Sequence, residues 1–221
     1  MSEIFKTLVD IFLHLDKNLA MVISQYGVAT YGLLFLIIFM ETGFVVTPFL
    51  PGDSLLFAAG ALAVTTSLNI WVIYFLLLIA AILGDTVNYW IGHFIGPKIF
   101  EGEHKFIKKD YLLKTQKFYE KYGGAAIFLA RFVPIVRTFA PFVAGIAKMT
   151  YKYFIAYNFL GGIVWVTLFT WSGYFFGNLP FVKANFHYVV VIIILLSIAP
   201  IIYEICKKHS PSKESIRPPR R

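Results

Sequence analysis

The sequence has little charge and almost no cysteine, and each shortage excludes a class of protein. Charged residues make up 14% of the 221 residues, while apolar residues make up 58%. A soluble domain of this length needs far fewer apolar residues to form one core, so we expect the excess to face lipid. Cys206 is the only cysteine, which excludes intrachain disulfides and cysteine-based zinc or iron–sulfur sites. The length excludes a large multidomain enzyme.

Lys and Arg are concentrated in a few segments of the chain, so other long segments contain no positive charge. Residues 27–96 contain neither, whereas residues 97–122 contain seven Lys and residues 207–221 contain six Lys or Arg. Such clusters beside apolar runs are typical of cytoplasmic loops and of attraction to anionic lipid headgroups. We therefore predict a multi-pass membrane protein with a cytoplasmic C-terminus and no nucleic-acid partner. Asp10 and Lys17 interrupt the first apolar run, so we expect no cleavable signal peptide.

The first hundred residues contain apolar runs of very different length. Residues 4–25 have a 3.6-residue apolar period, which predicts a helix lying in the membrane interface. The run at 28–40 covers only about 20 Å as a helix, too little to cross a bilayer. A second short run at 54–64 follows, and two half-length helices predict a re-entrant hairpin. The residues assigned to breaking the helices of this hairpin and its later counterpart are Pro48, Pro51, Gly52, Pro134 and Pro141.

The remaining segments complete an all-α polytopic fold. Residues 70–95 are long enough to span the membrane completely. Residues 97–122 are amphipathic and basic, which predicts a second interfacial helix, and residues 125–147 repeat the short, proline-interrupted pattern of the first hairpin. Residues 153–177 and 188–205 are two further predicted spans.

Three short motifs occur twice in the same order, which indicates an internal repeat. Each unit would contain one hairpin and one span, so the second unit must be inverted relative to the first, as in many transporters. Chance matches among apolar letters are the alternative. The motif pairs are Tyr26-Gly27 with Tyr122-Gly123, Phe57–Gly60 with Phe142–Gly145, and Trp90–Gly96 with Trp171–Gly177. The predicted organisation is one membrane domain over 1–206, with repeats at about 4–96 and 104–177 and an extra helix at 188–205, followed by a basic tail at 207–221.

The two predicted hairpins carry opposite charges. The first contains Glu41 and Asp53, and the second contains Arg131 and Arg137. A lone charge inside the membrane costs several kcal/mol, so we expect these groups to pair, with Glu41 contacting Arg137. Arginines in such a site can bind a phosphate while a carboxylate takes up a proton. The alternatives are a static ion pair and, for Asp53, a cap on the half-helix that begins at Ser54.

Other polar or aromatic residues in the apolar runs have more than one interpretation. Asp85 with Asn88 could relay protons, or could cap a kink after Gly84. Trp165 and Trp171 fit either a core or an interfacial position. The histidines show no metal-ligand spacing, so we expect neither a metal nor a cofactor.

The charged motifs also resemble those of a known family. They are similar over about residues 25–180 to the DedA family, whose core is also called the SNARE-associated or VTT domain. The resemblance implies a bacterial inner-membrane protein with two opposed re-entrant loops, linked to the proton motive force and to lipid movement, including undecaprenyl phosphate or phospholipids. The family's essential acids and arginines correspond to Glu41, Asp53, Arg131 and Arg137. The motifs are Glu41-Thr-Gly, Pro48-Phe-Leu-Pro-Gly-Asp53-Ser, Gly84-Asp85, and Arg131-Phe-Val-Pro-Ile-Val-Arg137-Thr.

These observations predict a transporter that is not an enzyme. An anionic lipid headgroup would pass a midplane site by alternating exposure, with Arg131 and Arg137 binding phosphate and Glu41 and Asp53 accepting protons. Its partners would be the lipid, protons and the bilayer, and a homo-oligomer is compatible with the sequence. One rival is a structural or assembly factor for membrane proteins. A lipid phosphatase is the other, and it lacks a nucleophile and base beside the arginine motif.

Overall fold

The described part of the chain is entirely helical in its regular structure. The computed structural model describes residues 15–44, 52–101, 123–193 and 195, and residues 186–193 are also helical after the last numbered element. The numbered helices are α1 (Leu15–Tyr26), α2 (Ala29–Gly43), α3 (Gly52–Thr65), α4 (Ile70–Glu101), α5 (Ala125–Ala130), α6 (Pro134–Ile146), α7 (Tyr151–Phe176) and α8 (Pro180–Ala184).

Two of these helices are long and apolar enough to cross a membrane. They contain the apolar stretches Ile70–Ile95 and Tyr151–Phe176, each of 26 residues, or about 39 Å of helix. Helices α2, α3 and α6 have 15, 14 and 13 residues, which is too short for a complete crossing. The mixture of full and half-length helices agrees with the pattern predicted from the sequence.

The repeated Tyr-Gly pair forms the same backbone turn in both units. Gly27 and Gly123 have φ values of 52° and 56°, in the left-handed region that favours glycine. Helices α2 and α5 each begin two residues later. The pair therefore marks an equivalent helix start in the two halves of the chain.

The two units differ in where the first half-helix stops. Helix α2 continues to Gly43, whereas α5 stops at Ala130, three residues before Val133, whose extended backbone is the conformation favoured before proline. Glu41 consequently lies in the last turn of α2, while Arg137 lies in the first turn of α6. Glu41 and Arg137 each lie fifteen residues after the tyrosine of their Tyr-Gly pair, but this equal spacing does not give them equivalent places in the fold.

The other two repeated motifs pack against each other crosswise. A Cβ atom added to Gly60 of α3 would overlap the Thr170 carbonyl oxygen of α7, and one on Gly173 of α7 would overlap the carbonyl oxygen of Phe57. The same arrangement joins α6 to α4, where Gly145 faces the Tyr89 carbonyl oxygen and Gly92 faces that of Phe142. The short helices α3 and α6 thus each pack closely on the long helix of the other unit, as small residues allow.

These close contacts divide the helices into two groups. We call α2, α4 and α6 the even group and α3, α5 and α7 the odd group. Gly43 and Gly84 bring α2 and α4 together, and Gly124 packs against Tyr157 to join α5 to α7. Each group therefore combines helices from both repeats, and α4 and α7 contact each other at the boundary.

Several predictions concern residues outside the described part of the chain. They include Pro48, Pro51, most of the 97–122 interfacial helix, the start of the 4–25 helix and the C-terminal part of the 188–205 span. Within the described part, α1 lies in the first of the two predicted interfacial segments, and α4 extends to Glu101.

Pro141 does not break a helix as predicted, because α6 continues through it to Ile146. Proline has no N–H to donate, so the carbonyl of Arg137 loses its usual helical partner. Despite this missing hydrogen bond, α6 packs closely on α4 at Gly145 and Phe142. Pro134, by contrast, is the first residue of α6, a position that suits proline.

The glycine contacts predict opposite effects for two Gly→Ala substitutions. Gly60→Ala should destabilise the protein by about 1–3 kcal/mol, because the new methyl group has no room against α7. Gly32→Ala is the matched control, since nothing lies within 4 Å of its Cβ position; it should leave stability unchanged or raise it by about 0.5–1 kcal/mol. Thermal unfolding in detergent measures both, and equal effects would contradict the packing.

Candidate functional site

Five charged side chains, four from helices and one from directly after a helix, meet in the interior. Glu41 comes from α2, Asp53 from α3, Asp85 from α4 and Arg137 from α6, while Arg131 directly follows α5. Each of these side chains is almost completely buried. A buried charge needs counter-charges and hydrogen bonds, so the contacts among these five residues determine what the site can do. We call them the buried charge cluster.

Arg137 binds two carboxylates at once. Its Nη2 lies 2.5 Å from Glu41 Oε1, and its Nη1 lies 2.7 Å from Asp53 Oδ1. The pairing predicted between Glu41 and Arg137 is therefore present, and Asp53 is a second partner. The planar guanidinium suits this arrangement, because its donors point in fixed and separate directions.

The start of α3 adds further contacts to the Glu41 carboxylate. The Gly52 backbone N–H donates to Glu41 Oε1 at 3.3 Å, and a Cβ on Gly52 would overlap the carboxylate. A helix N-terminus favours negative charge. Gly52 is thus the first residue of α3, and its lack of a side chain makes room for Glu41. Asp53 lies in the first turn of α3, whose first residue is Gly52 and not Ser54 as expected.

Arg131 has a different carboxylate partner from Arg137. Its Nη2 lies 2.5 Å from Asp85 Oδ2 and also donates to Asn158 Oδ1. Asn158 in turn donates to the Ile82 carbonyl at 3.1 Å. Gly161 leaves space for the arginine stem, because a Cβ there would lie 2.9 Å from Arg131 Cδ. Asp85 is therefore the direct counter-ion of Arg131, a pairing that the sequence analysis did not predict.

Trp165 contacts both arginines of the buried charge cluster and one of its carboxylates. Its indole N–H donates to Asp53 Oδ1 at 2.8 Å. The guanidinium carbons of Arg137 and Arg131 lie 4.8 Å and 5.9 Å from its ring centroid, within the range of cation–π attraction. Of the two interpretations given for Trp165, the core position is the observed one, since its side chain is fully buried.

Asn88 connects the two helices that carry Glu41 and Arg137. Its side-chain amide donates to the carbonyl oxygens of Thr42 at 3.1 Å and Thr138 at 2.8 Å. These threonines directly follow Glu41 and Arg137. Asn88 therefore fixes the backbone beside both members of the ion pair. The sequence signal for it was a polar residue in an apolar span, one turn after Asp85.

The side chain of Asp85 does not cap a kink after Gly84, which was one of its two predicted roles. Helix α4 runs without interruption from Ile70 to Glu101, and the Asp85 carboxylate bonds to Arg131. The proton-relay role of Asp85 stays a prediction.

The charges and hydrogen bonds in the cluster are not balanced. Three carboxylates face two guanidinium groups, so one proton would neutralise the cluster. Among the described residues, five buried atoms of the cluster and Oδ1 of the neighbouring Asn88 have no hydrogen-bond partner. Their donors and acceptors can therefore bind a further polar group. The atoms are Glu41 Oε2, Asp85 Oδ1, Asn88 Oδ1, Arg131 Nε, Arg131 Nη1 and Arg137 Nε. No group of three or more His, Cys, Asp or Glu side chains that could hold a metal ion occurs among the described residues.

The fold and the site together are typical of a helical membrane protein with ionisable residues in its interior. Two helices long and apolar enough to span a membrane enclose, with shorter apolar helices, a buried set of charged residues. Intramembrane ionisable residues of this kind mark transport or relay pathways in many membrane proteins. No solved structure matches the chain significantly.

Comparison with known proteins identifies the family. The VTT domain model matches residues 50–175. The chain is 56% identical to Protein DedA of Escherichia coli over 90% of this chain and 93% of that protein. An uncharacterised membrane protein of Mycobacterium leprae is 42% identical over 74% of each chain, and inner membrane protein YghB of Escherichia coli is 33% identical over 76% of this chain and 78% of its own. The chain belongs to the DedA family of membrane proteins, which confirms the resemblance seen in its motifs.

The contacts of Asp85 predict how the protein responds to loss of one charge. Asp85→Asn should destabilise it by about 3–5 kcal/mol, because Arg131 would remain buried without its direct counter-ion. Adding Arg131→Met should restore part of this loss, since both charges are then gone. The midpoint of thermal unfolding checks the order of the variants. A double variant no more stable than Asp85→Asn would show that Asp85 does not serve as the counter-ion.

Proposed function

We propose that this protein is a transporter that moves an anionic lipid, undecaprenyl phosphate or a phospholipid, across the bacterial inner membrane, coupled to protons. The observation that carries the proposal is Arg137, buried and held by Glu41 and Asp53. A guanidinium binds a phosphate in the same bidentate geometry as a carboxylate. The lipid phosphate and the carboxylates can therefore compete for one arginine. The protein needs no cofactor for this exchange and is not an enzyme.

The membrane arrangement that we propose has two inverted repeats, each with a re-entrant hairpin. The crosswise glycine contacts support it, because the second half-helix of each unit, α3 or α6, packs on the span of the other unit in the same way. Aromatic clusters near the two ends of the apolar stretch Ile70–Ile95 support its position in the bilayer: Trp71 packs on Trp171, and Trp90 packs on Tyr151. Trp71 and Trp90 are about 28 Å apart along the helix, close to the thickness of the hydrocarbon core. The basic segments favour a cytoplasmic C-terminus.

Proton coupling follows from charge balance in a dry site. The cluster carries one negative charge in excess when all five residues are ionised, and a lipid phosphate adds more. Its entry is therefore favoured when carboxyl groups take up protons, and its release when they lose them. In this mechanism Arg137 pairs alternately with the carboxylates of Glu41 and Asp53 and with the substrate phosphate. The site is exposed alternately to the two sides of the membrane.

Arg131 contributes a second positive charge to the same interior. It lies with Asp85 and Asn158, and its Nε and Nη1 have no hydrogen-bond partner among the described residues. These donors can hold another phosphate oxygen or a water molecule near the headgroup. Asp85 would then take the role of relay, because it is the carboxylate released when Arg131 binds the substrate.

The two rival functions make different demands on the cluster. A structural or assembly factor needs the ion pairs only to hold the helices together, so charge-neutral or charge-swapped pairs would preserve its function. A lipid phosphatase would release inorganic phosphate from the substrate.

The test is reconstitution in liposomes with a panel of labelled anionic lipids, with and without a pH gradient. We expect movement of a phosphate-bearing lipid that slows when the gradient collapses. Release of inorganic phosphate would favour the phosphatase. Absence of movement for every lipid, by protein that is folded and inserted, would contradict the proposal.

Substitutions of Arg137 should separate phosphate binding from folding. Arg137→Lys keeps the charge but loses the planar fork, so partial transport is expected. Arg137→Ala should transport little at every pH, while still accumulating in the membrane, because protonation of Glu41 relieves much of the burial penalty. Membrane accumulation is measured beside transport. Normal transport by Arg137→Ala, or failure caused only by lack of inserted protein, would favour the static ion pair.

The role of Asp53 is tested by removing its charge and keeping its shape. Asp53→Asn preserves an oxygen for the Trp165 N–H but cannot exchange a proton. We expect a clear loss of proton-dependent transport with little change in the amount of inserted protein. Full activity of this variant would assign Asp53 to a structural role at the start of α3.

A further inference from the structure

The ion pairs of the cluster lie in two different places relative to the helix groups. Arg137 and Glu41 both belong to the even group. Asp53 lies on α3 and Arg131 directly after α5, both in the odd group, so the bonds Arg137–Asp53 and Arg131–Asp85 cross the boundary. If the two groups separate, these crossing pairs open while Arg137–Glu41 does not.

Trp165 belongs to the same group as Asp53. It lies on α7, and α7 is joined closely to α3 through Gly60 and Gly173. Its indole N–H donates to the same Asp53 oxygen that accepts from Arg137, at 2.8 Å and 2.7 Å. Indole has a single donor, and this one is fully committed to the carboxylate. Asp53 Oδ1 thus accepts from a donor in its own group, Trp165, and from a donor across the boundary, Arg137.

In the even group, a side-chain amide on α4 holds the Glu41–Arg137 pair in place. Asn88 donates to the carbonyls directly after Glu41 and Arg137, which keeps the backbones of α2 and α6 in register with α4. Arg137 therefore keeps Glu41, the counter-ion in its own group, when the two groups move apart. Retaining a counter-ion avoids the large penalty of a buried unpaired guanidinium.

We propose that Trp165 is a positioning residue that holds Asp53 to α7, so that Asp53 leaves Arg137 when the groups separate while Glu41 stays. This inference rests on the proposed function and deepens it. In place of equal exchange by both acids, it makes Glu41 the lasting counter-ion of Arg137 and Asp53 the one that exchanges with the substrate. The position that Asp53 leaves, beside Nη1 of Arg137, is where the phosphate of the anionic lipid binds.

Trp165→Phe is the variant that isolates the indole donor. Phe keeps an aromatic ring beside both arginines but has no N–H for Asp53. The matched control is Trp171→Phe on the same helix, where the ring packs on Trp71. We expect both variants to insert equally, Trp165→Phe to lose about tenfold in lipid transport, the effect of one hydrogen bond to a charged group, and Trp171→Phe to stay near wild type. Equal transport by the two variants would overturn the inference.

Two measurements that do not depend on transport test whether Trp165 acts through Asp53. In a double-mutant cycle of thermal midpoints, Trp165→Phe should have a smaller effect in the Asp53→Ala background than in the wild type, because the acceptor is already gone. The indole N–H resonance of Trp165, assigned by its loss in Trp165→Phe, should shift in Asp53→Ala while that of Trp171 does not. An equal effect in both backgrounds, or an unmoved resonance, would overturn the inference. If wild-type protein moves no lipid, the proposed function fails, and this cycle still decides whether the two residues are coupled.

Discussion

The burial of two guanidinium groups in an apolar helical bundle is the constraint on which the structure depends. Neither Arg131 nor Arg137 can lose its charge readily, and an unpaired buried charge costs several kcal/mol. Carboxylates must therefore come from other helices to meet them, and three do so, from α2, α3 and α4. Helix positions far apart in the chain are fixed by this requirement, since Glu41 and Arg137 are 96 residues apart.

Glycine makes this convergence possible. Backbones that touch directly, as at Gly60 and Gly145, bring the short helices close to the long helices of the opposite unit. Lipid tails provide no hydrophobic drive for helices to associate, so such packing and the interior polar contacts carry much of the association. The same contacts define the even and odd groups. The cluster lies at the boundary between the groups, where a modest relative movement changes which charges are paired.

A static bundle could be stabilised more simply, because replacing a buried ion pair by apolar residues is often neutral or stabilising. The chain instead contains an uneven set of buried charges, with buried donors and acceptors that have no hydrogen-bond partner in the part of the chain that the structure describes. Membership of the DedA family agrees with a membrane location. Together these features fit a site that exchanges partners during transport better than one that only holds helices together.

The sequence by itself determined the helical class, the full and half-length helices, the repeated motifs, and the charge pairing of Glu41 with Arg137. These follow from local apolar length, from letters that recur, and from the rule that buried charges pair. Only the tertiary structure decided that Asp85 is the partner of Arg131, that Trp165 joins both arginines, and that Pro141 lies within a helix. Those outcomes depend on which helix faces meet across the group boundary, and spacing along the chain does not contain that information.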